Sequence, residues 1–174
     1  MKLKNILCAV ALAVVGAGAY AEDITQSFAL TPNTSWAGAF SGGWGVTHTS
    51  SGAFTDTFTF TGASAGSVDG SLITIGFSDR TDIDFTSVSI NGHAYTLNST
   101  GPVGTATLSP VELNGPLVLT VTGIAGPALS AGTSIAASYA GTLNVSPVPE
   151  PQTLALMLAG LGVVGVLKRR RMPR

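Results

Sequence analysis

The sequence predicts an all-β domain, a single antiparallel β-sandwich or jelly-roll-like fold over residues 22–148, and three observations lead to this class. Apolar and polar residues alternate with the two-residue period of a half-buried strand, most clearly in Ala53–Thr61 and Leu117–Thr122. Turn signals rich in glycine, serine and proline recur about every 8–12 residues. The region shows no sustained helical period, which argues against a parallel sheet built from alternating strands and helices.

The first segment, residues 1–21, has the composition of a secretory signal peptide. A lysine-containing start and the apolar run Ile6–Val15 precede the small residues Ala19 and Ala21, which predict cleavage before Glu22. The expected partners of this segment are the secretion machinery and signal peptidase. The only cysteine lies within it, so the exported domain has no thiol, disulfide or thiolate metal ligand.

The predicted strands follow in chain order through the exported domain. Asn91-Gly92 is the strongest hairpin signal, because a type I′ turn needs positive φ at both central positions. Two glycine-rich stretches, 32–45 and 62–70, are predicted as loop and turn regions. Strands are predicted at Ile24–Leu30, Ala53–Thr61, Ser71–Phe77, Ile83–Ile90, His93–Leu97, Leu117–Thr122 and, in part, Ser134–Val145, and prolines predicted to fall between strands are Pro102, Pro110, Pro116 and Pro127.

Charge limits the function of the domain. Residues 22–148 contain eight acidic side chains and one base, Arg80, so their net charge is −7. A nucleic-acid binder needs several lysines or arginines to contact phosphates, and the sequence therefore argues against that function. This excess of acidic over basic side chains is typical of a soluble extracellular protein or a cation binder.

One predicted strand places a carboxylate among aromatic side chains. Phe54, Asp56 and Phe58 face the same way in Ala53–Thr61, and a buried carboxylate is unfavourable unless it is hydrogen-bonded or paired. We favour a structural role in which Asp56 caps a turn or accepts backbone N–H bonds near a sheet edge. An ion pair with Arg80, and a ligand or cation role, are the alternatives.

The opposite face of this strand is a row of threonines, Thr55, Thr57, Thr59 and Thr61. A solvated, β-branched strand face is the interpretation that we favour. Flat threonine arrays also occur on some ice-binding surfaces, so ice binding is a second hypothesis.

Three aspartates lie close together in the sequence, Asp79, Asp82 and Asp84. Carboxylates at this density can bind Ca²⁺, which prefers six to eight oxygen ligands. The spacing does not fit an EF-hand, and solvated loop acids are the favoured interpretation. No cofactor is expected.

Side chains for catalysis or sugar stacking are few. The sequence has two histidines, His48 and His93, and it lacks the nucleophile-elbow, zinc-protease and phosphate-loop motifs, so we expect a protein that is not an enzyme. His93 follows a hairpin turn and is expected to be exposed. Trp36, Trp44 and Tyr95 could stack on sugars, although core packing is the favoured use of each.

Residues 149–174 form a distinct C-terminal segment of three parts. Pro149-Glu150-Pro151 comes first, followed by an apolar stretch, 152–167, and a basic tail, 168–174. The apolar part is predicted as a transmembrane helix, although at ~1.5 Å per residue it only marginally spans a bilayer core of about 30 Å. The basic tail predicts that the C-terminus stays in the cytoplasm and that the domain lies outside.

This order of parts resembles the PEP-CTERM sorting signal of Gram-negative bacteria that make extracellular polysaccharide. The resemblance implies processing by an exosortase, a membrane protease, at Pro149-Glu150-Pro151, with removal of the tail. A plain single-span anchor is the alternative. A second resemblance lies in Phe54-Thr55-Asp56-Thr57-Phe58, which fits the FxDxF pattern that names a subgroup of PEP-CTERM proteins and implies no activity.

These features predict an exported protein that the inner membrane holds transiently before it reaches the cell envelope or the extracellular space. The expected role is non-enzymatic, structural or adhesive, and linked to exopolysaccharide. A binding module for carbohydrate, Ca²⁺ or ice is the first alternative, and a secreted hydrolase is the second.

Overall fold

The computed structural model describes residues 21–100, 102–148 and 151–170. Within these residues the chain forms strands and one helix. In chain order they are β1 (Thr25–Ala29), β2 (Thr31–Pro32), β3 (Phe40–Ser50), β4 (Gly52–Thr61), β5 (Ala65–Ile75), β6 (Ile83–Ile90), β7 (His93–Ala94), β8 (Thr96–Thr100), β9 (Val103–Asn114), β10 (Leu117–Ala125), β11 (Ser134–Ser146) and α1 (Pro151–Arg170).

The strands form two sheets that confirm the predicted all-β sandwich. The five-stranded sheet has the order β1-β4-β10-β6-β7, and the six-stranded sheet has the order β2-β3-β11-β5-β9-β8. Neighbouring strands are antiparallel except for the edge pair β1 and β4, which is parallel. The chain crosses from one sheet to the other between β3 and β4, near the buried Ser51.

The predicted alternation and the predicted hairpin are both present. Along β4 the phenylalanine face is buried and the threonine face is exposed or half-buried. Asn91 and Gly92 have φ values of 46° and 84°, and Ile90 pairs with His93 across the turn. These are the positive values that a type I′ turn requires.

Two glycine-rich stretches that were expected to be loop or turn contain strand residues instead. β3 begins at Phe40, inside the predicted loop 32–45, and β5 begins at Ala65, inside the predicted turn region 62–70. In β3, Trp44 and alternate residues after it are buried, while Gly43 and Gly45, on either side of Trp44, face outward. Pairing with β11 and burial of these side chains outweigh the low strand propensity of glycine.

The prediction that Pro110 lies between strands is wrong, because it lies inside β9. The register between β5 and β9 shifts at this point: Val68 pairs with Val111, and Gly70 pairs with Leu108. β9 therefore carries one extra residue there, which is a β-bulge. On its other side, β9 pairs with β8 only as far as Thr107, so the bulge lies where that side of β9 is free. A bulge on a strand with one free side tolerates a residue without an N–H.

The hydrophobic core fills the space between the two sheets. Among the described residues, every member of the buried cluster lies between Ala21 and Val145. The largest fully buried side chains include those of Phe58, Leu119 and Tyr139. They come from both sheets, and their contact holds the two layers together.

The start of the described chain belongs to this core. Ala21 is 3% exposed, and its N–H donates to the carbonyl of Ala53 at 3.0 Å. Cleavage before Glu22, as predicted, removes that residue and its hydrogen bond. The rest of the predicted signal peptide, residues 1–20, lies outside the described residues.

The C-terminal segment contains α1, which covers the predicted helix 152–167 and extends to Arg170. The side chains of residues 155–165 are exposed. Among the described residues, no helix has both the length and the apolar content needed to cross a membrane. The predicted transmembrane helix is therefore not confirmed. Pro149, Glu150 and the end of the basic tail, residues 171–174, lie outside the described residues.

Candidate functional site

The most unusual polar group in the domain is the carboxylate of Asp56, which is fully buried in the middle of β4. Its Oδ1 accepts the backbone N–H of Ile24 at 2.8 Å. Its Oδ2 accepts the hydroxyl of Tyr139 at 2.5 Å and the Nε2–H of His48 at 3.0 Å. We assign the donor role to Nε2, because a carboxylate oxygen accepts hydrogen bonds. The three side chains form the Asp56 cluster.

The Asp56 cluster connects both sheets and, through Ile24, the residues just before β1. Asp56 lies on β4 of the five-stranded sheet, while His48 and Tyr139 lie on β3 and β11 of the six-stranded sheet. His48 and Asp56 are 0% exposed and Tyr139 is 2% exposed, so a substrate in solution does not reach them. The arrangement therefore supports a structural role, with one carboxylate satisfying three donors.

These contacts decide between the roles that the sequence predicted for Asp56. The favoured prediction, acceptance of a backbone N–H near a sheet edge, is confirmed by the bond from Ile24. The alternative pairing with Arg80 is wrong, because the Arg80 Nη1 donates to the carbonyl of Ser134 at 2.7 Å. Sequence reasoning missed His48 and Tyr139 as partners. His48 lies only eight residues before Asp56, on the preceding strand, but that strand was not predicted. Tyr139 lies 83 residues after Asp56, and only the inward alternation in β11 pointed to its burial.

Aromatic rings surround the Asp56 cluster. The ring of Phe54 lies 4.1 Å from that of His48, and the ring of Phe58 lies 4.5 Å from that of Trp44, measured between centroids. All three motif residues of the FxDxF pattern therefore belong to the core. The favoured prediction of core packing is confirmed for Trp44 and Tyr95, which are buried, and it is wrong for Trp36, which is 68% exposed.

Because of Tyr139, the free energy of unfolding is expected to vary with pH in the alkaline range. Burial, followed by the hydrogen bond to Asp56 and its negative charge, raises the pKa of Tyr139. Above pH ~10 the unfolded phenol loses its proton and the folded one keeps it, so the free energy of unfolding falls as pH rises, by about 1.4 kcal/mol per pH unit. Urea unfolding at several alkaline pH values should show a shallower fall in Tyr139→Phe than in the wild type. Equal slopes would contradict this assignment.

The outer face of the five-stranded sheet carries a regular field of hydroxyl side chains, which we call the threonine face. Thr25, Thr57, Thr120 and Ser89 lie side by side on four adjacent strands. Neighbouring strands lie about 4.8 Å apart, and every second residue along a strand repeats at roughly 7 Å. The hydroxyl residues of this face are Thr25 and Ser27 on β1, Thr55, Thr57, Thr59 and Thr61 on β4, Thr120 and Thr122 on β10, and Ser87 and Ser89 on β6. The apolar residues Val118 and Ile124 of β10 lie on the same side of the sheet.

The threonine face is wider than the sequence indicated. The predicted row on one strand becomes an array across four strands, because parallel and antiparallel neighbours bring further hydroxyls into register. None of these side chains is charged. Such a surface offers many weak donors and acceptors at fixed spacing.

The outer face of the six-stranded sheet contains an open trough of about 770 Å³. Its floor includes the small residues Gly45 and Ala140, and the exposed apolar side chains of Ile73 and Ile75 lie beside them. Glu22 also lines the trough, and its carboxylate accepts the hydroxyl of Thr49 at 3.2 Å. The trough is therefore a shallow amphipathic surface.

The three clustered aspartates differ in exposure. Asp79 and Asp84 are exposed and Asp82 is half-buried. Burial, followed by the nearby charges of Asp84 and Asp79, raises the pKa of Asp82, although a backbone hydrogen bond opposes the shift. In the described parts of the chain, no group of three or more histidine, cysteine or acidic side chains is arranged to hold a metal ion. His93 is exposed, as expected for the residue after the hairpin turn.

Comparison with known proteins identifies the C-terminal segment. Residues 147–171 match the protein family described as the PEP-CTERM protein-sorting motif. The match confirms the predicted sorting signal and begins immediately after β11 ends at Ser146. No curated protein and no solved structure matched the chain.

Proposed function

We propose that the chain is an exported protein of the bacterial cell envelope or extracellular matrix, with a non-enzymatic structural or adhesive role linked to exopolysaccharide. The PEP-CTERM motif at residues 147–171 supports export and processing by an exosortase. The domain before it is acidic and contains no cysteine, and both properties are compatible with a secreted protein. The transient membrane anchoring predicted for residues 152–167 stays a prediction.

The threonine face is the observation that carries the adhesive part of the proposal. A polysaccharide presents hydroxyl groups at regular intervals, and an uncharged hydroxyl array can exchange hydrogen bonds with many of them at once. Each contact is weak, but a repeated polymer and a repeated surface gain from multivalency. The excess of acidic side chains favours a neutral polysaccharide over an anionic one.

Co-sedimentation of residues 21–148 with insoluble exopolysaccharide from a producing bacterium tests this proposal. We expect the domain to pellet with the polysaccharide, and Thr57→Lys to reduce the bound fraction severalfold, because a long charged side chain interrupts the array. Thr57 pairs with Thr120 in the middle of the face. Thr107→Lys is the matched control, since Thr107 is exposed on the other sheet.

Three outcomes separate the candidate functions. Retention by the wild type and by Thr107→Lys, with loss in Thr57→Lys, supports adhesion through the threonine face. Equal retention of all three proteins would show that the domain binds polysaccharide through a surface other than the threonine face. The third outcome is a wild-type domain that fails to bind polysaccharide and produces thermal hysteresis in freezing solutions. That result would assign the threonine face to ice binding, which its regular spacing also favours.

A further inference from the structure

The chain leaves the domain at one end of the sandwich, which we call the exit end. Four connections between strands lie there together with the residues that follow β11, and these parts are residues 33–39, 62–64, 91–92, 115–116 and 147–148. The Gly115 N–H donates to the Ser64 carbonyl at 2.7 Å. The Asn91 side chain donates to the Pro116 carbonyl at 3.0 Å. These bonds join three of the connections into one continuous surface.

Trp36 lies in the first of these connections and is 68% exposed. Hydrogen bonds hold the connection in shape: the Asn33 N–H donates to the Ala39 carbonyl at 2.7 Å, and the Ala39 N–H donates to the Trp36 carbonyl at 3.1 Å. The connection packs beside the exit, because a Cβ on Gly38 would lie 3.5 Å from the Cβ of Pro147. A large aromatic side chain that the core does not use therefore lies next to the point where the chain leaves the domain.

Charge distinguishes the exit end from the opposite end of the sandwich. The five parts of the exit end contain no lysine, arginine, aspartate or glutamate. Within the domain, the acid closest to them along the chain is Glu112, near the end of β9. Five of the eight acids of residues 22–148 lie toward the opposite end, before β1 or around the connection from β5 to β6, and they are Glu22, Asp23, Asp79, Asp82 and Asp84. One end of the domain is therefore uncharged and the other is acidic.

The sorting segment starts at the exit end. The PEP-CTERM motif matches from residue 147 onward, and Pro151, the first residue of α1, follows Val148 by three positions. Three positions span at most about 11 Å in an extended chain. Any surface that holds the apolar residues 152–167 therefore lies close to the exit end and far from the acidic end.

We propose that the exit end is the membrane-facing surface of the domain, and that Trp36 lies in the headgroup region of a lipid bilayer while the C-terminal segment holds the chain there. The inference rests on the transient anchoring predicted for residues 152–167. Tryptophan favours the interface between membrane and water, because its ring is apolar and its N–H donates to polar groups. The same orientation turns the acidic end away from the negatively charged lipid phosphates.

Fluorescence quenching of residues 21–174 in lipid vesicles tests the proposal. The vesicles consist of phosphatidylcholine that is either unmodified or brominated close to the headgroup. Trp44 is the only other tryptophan and is 6% exposed, so the variant Trp36→Phe gives the background emission of the core. We expect the emission that remains after subtraction of this background to fall about twofold in the brominated vesicles, because the interface brings Trp36 next to the quencher.

The double variant Trp36→Phe/Phe77→Trp is the matched control. Phe77 is 84% exposed and lies between β5 and β6, so this variant carries its exposed tryptophan at the acidic end. Its emission should be the same in both kinds of vesicle. Equal quenching at positions 36 and 77 would show that the domain has no preferred orientation on the bilayer, which overturns the proposal.

Flotation of the vesicles on a density gradient separates failure of the anchor from failure of the orientation. A chain that floats while Trp36 stays unquenched retains the anchor and overturns the placement of Trp36. Cross-linking of a photoreactive group at position 36 to the exosortase in cells would then assign the exit end to the protease. A chain that does not float overturns the predicted anchoring and the proposed orientation together.

Discussion

Replacing Asp56 by alanine is expected to lower the free energy of unfolding by about 3–5 kcal/mol. The substitution leaves the Ile24 N–H, the Tyr139 hydroxyl and the His48 Nε2–H without their shared acceptor, at a site where the side chains are at most 2% exposed. For a domain of this size the melting temperature should fall by more than about 10 °C. Urea unfolding and thermal unfolding of residues 21–148 measure both quantities.

Two further variants separate the role of the cluster from a general effect of charge. Asp84→Ala removes the same side-chain type at an exposed position and should change stability by less than about 0.5 kcal/mol. Tyr139→Phe removes one donor and should cost about 1–2 kcal/mol. Combined with Asp56→Ala it should cost less than the sum of the single changes, because the two residues share a hydrogen bond. Wild-type stability in Asp56→Ala would contradict the structural role.

The second large effect concerns Glu150. If an exosortase reads Pro149-Glu150-Pro151, Glu150→Ala should abolish processing, and the protein should keep its basic tail and stay with the membrane fraction. The prolines favour an extended segment, which is the form that proteases bind, and the glutamate is the only charged group between them. Glu112→Ala, which removes an exposed acid from β9, is the matched control and should be processed normally.

The alternation of residues predicted much of the fold because it depends only on neighbours in the chain. The buried and exposed faces of β4, and the turn at Asn91-Gly92, follow from local geometry. β3 was not predicted, because its glycines are favourable only when β11 lies beside them. The ring of Trp44, for example, packs where a Cβ on Gly141 would lie, 2.9 Å away, and no local pattern reveals such a contact.

The candidate sites also contain some features that local sequence predicts and others that only the fold creates. Asp56 was recognisable as a buried polar group because its own strand placed it among phenylalanines. Its partners His48 and Tyr139 lie on β3 and β11, and only the fold brings them within hydrogen-bond distance. The threonine face likewise requires the strand order β1-β4-β10-β6, which the sequence does not specify. The sorting signal was predictable because it is a linear motif.

The intact mass of the wild-type protein, isolated from the medium and from the membranes of an exosortase-containing bacterium, tests the central claim most directly. We predict that the released protein has lost its signal peptide and ends near Pro149, and that the form with the tail is confined to the membranes. A released protein whose mass includes Arg174 would contradict sorting through the PEP-CTERM motif.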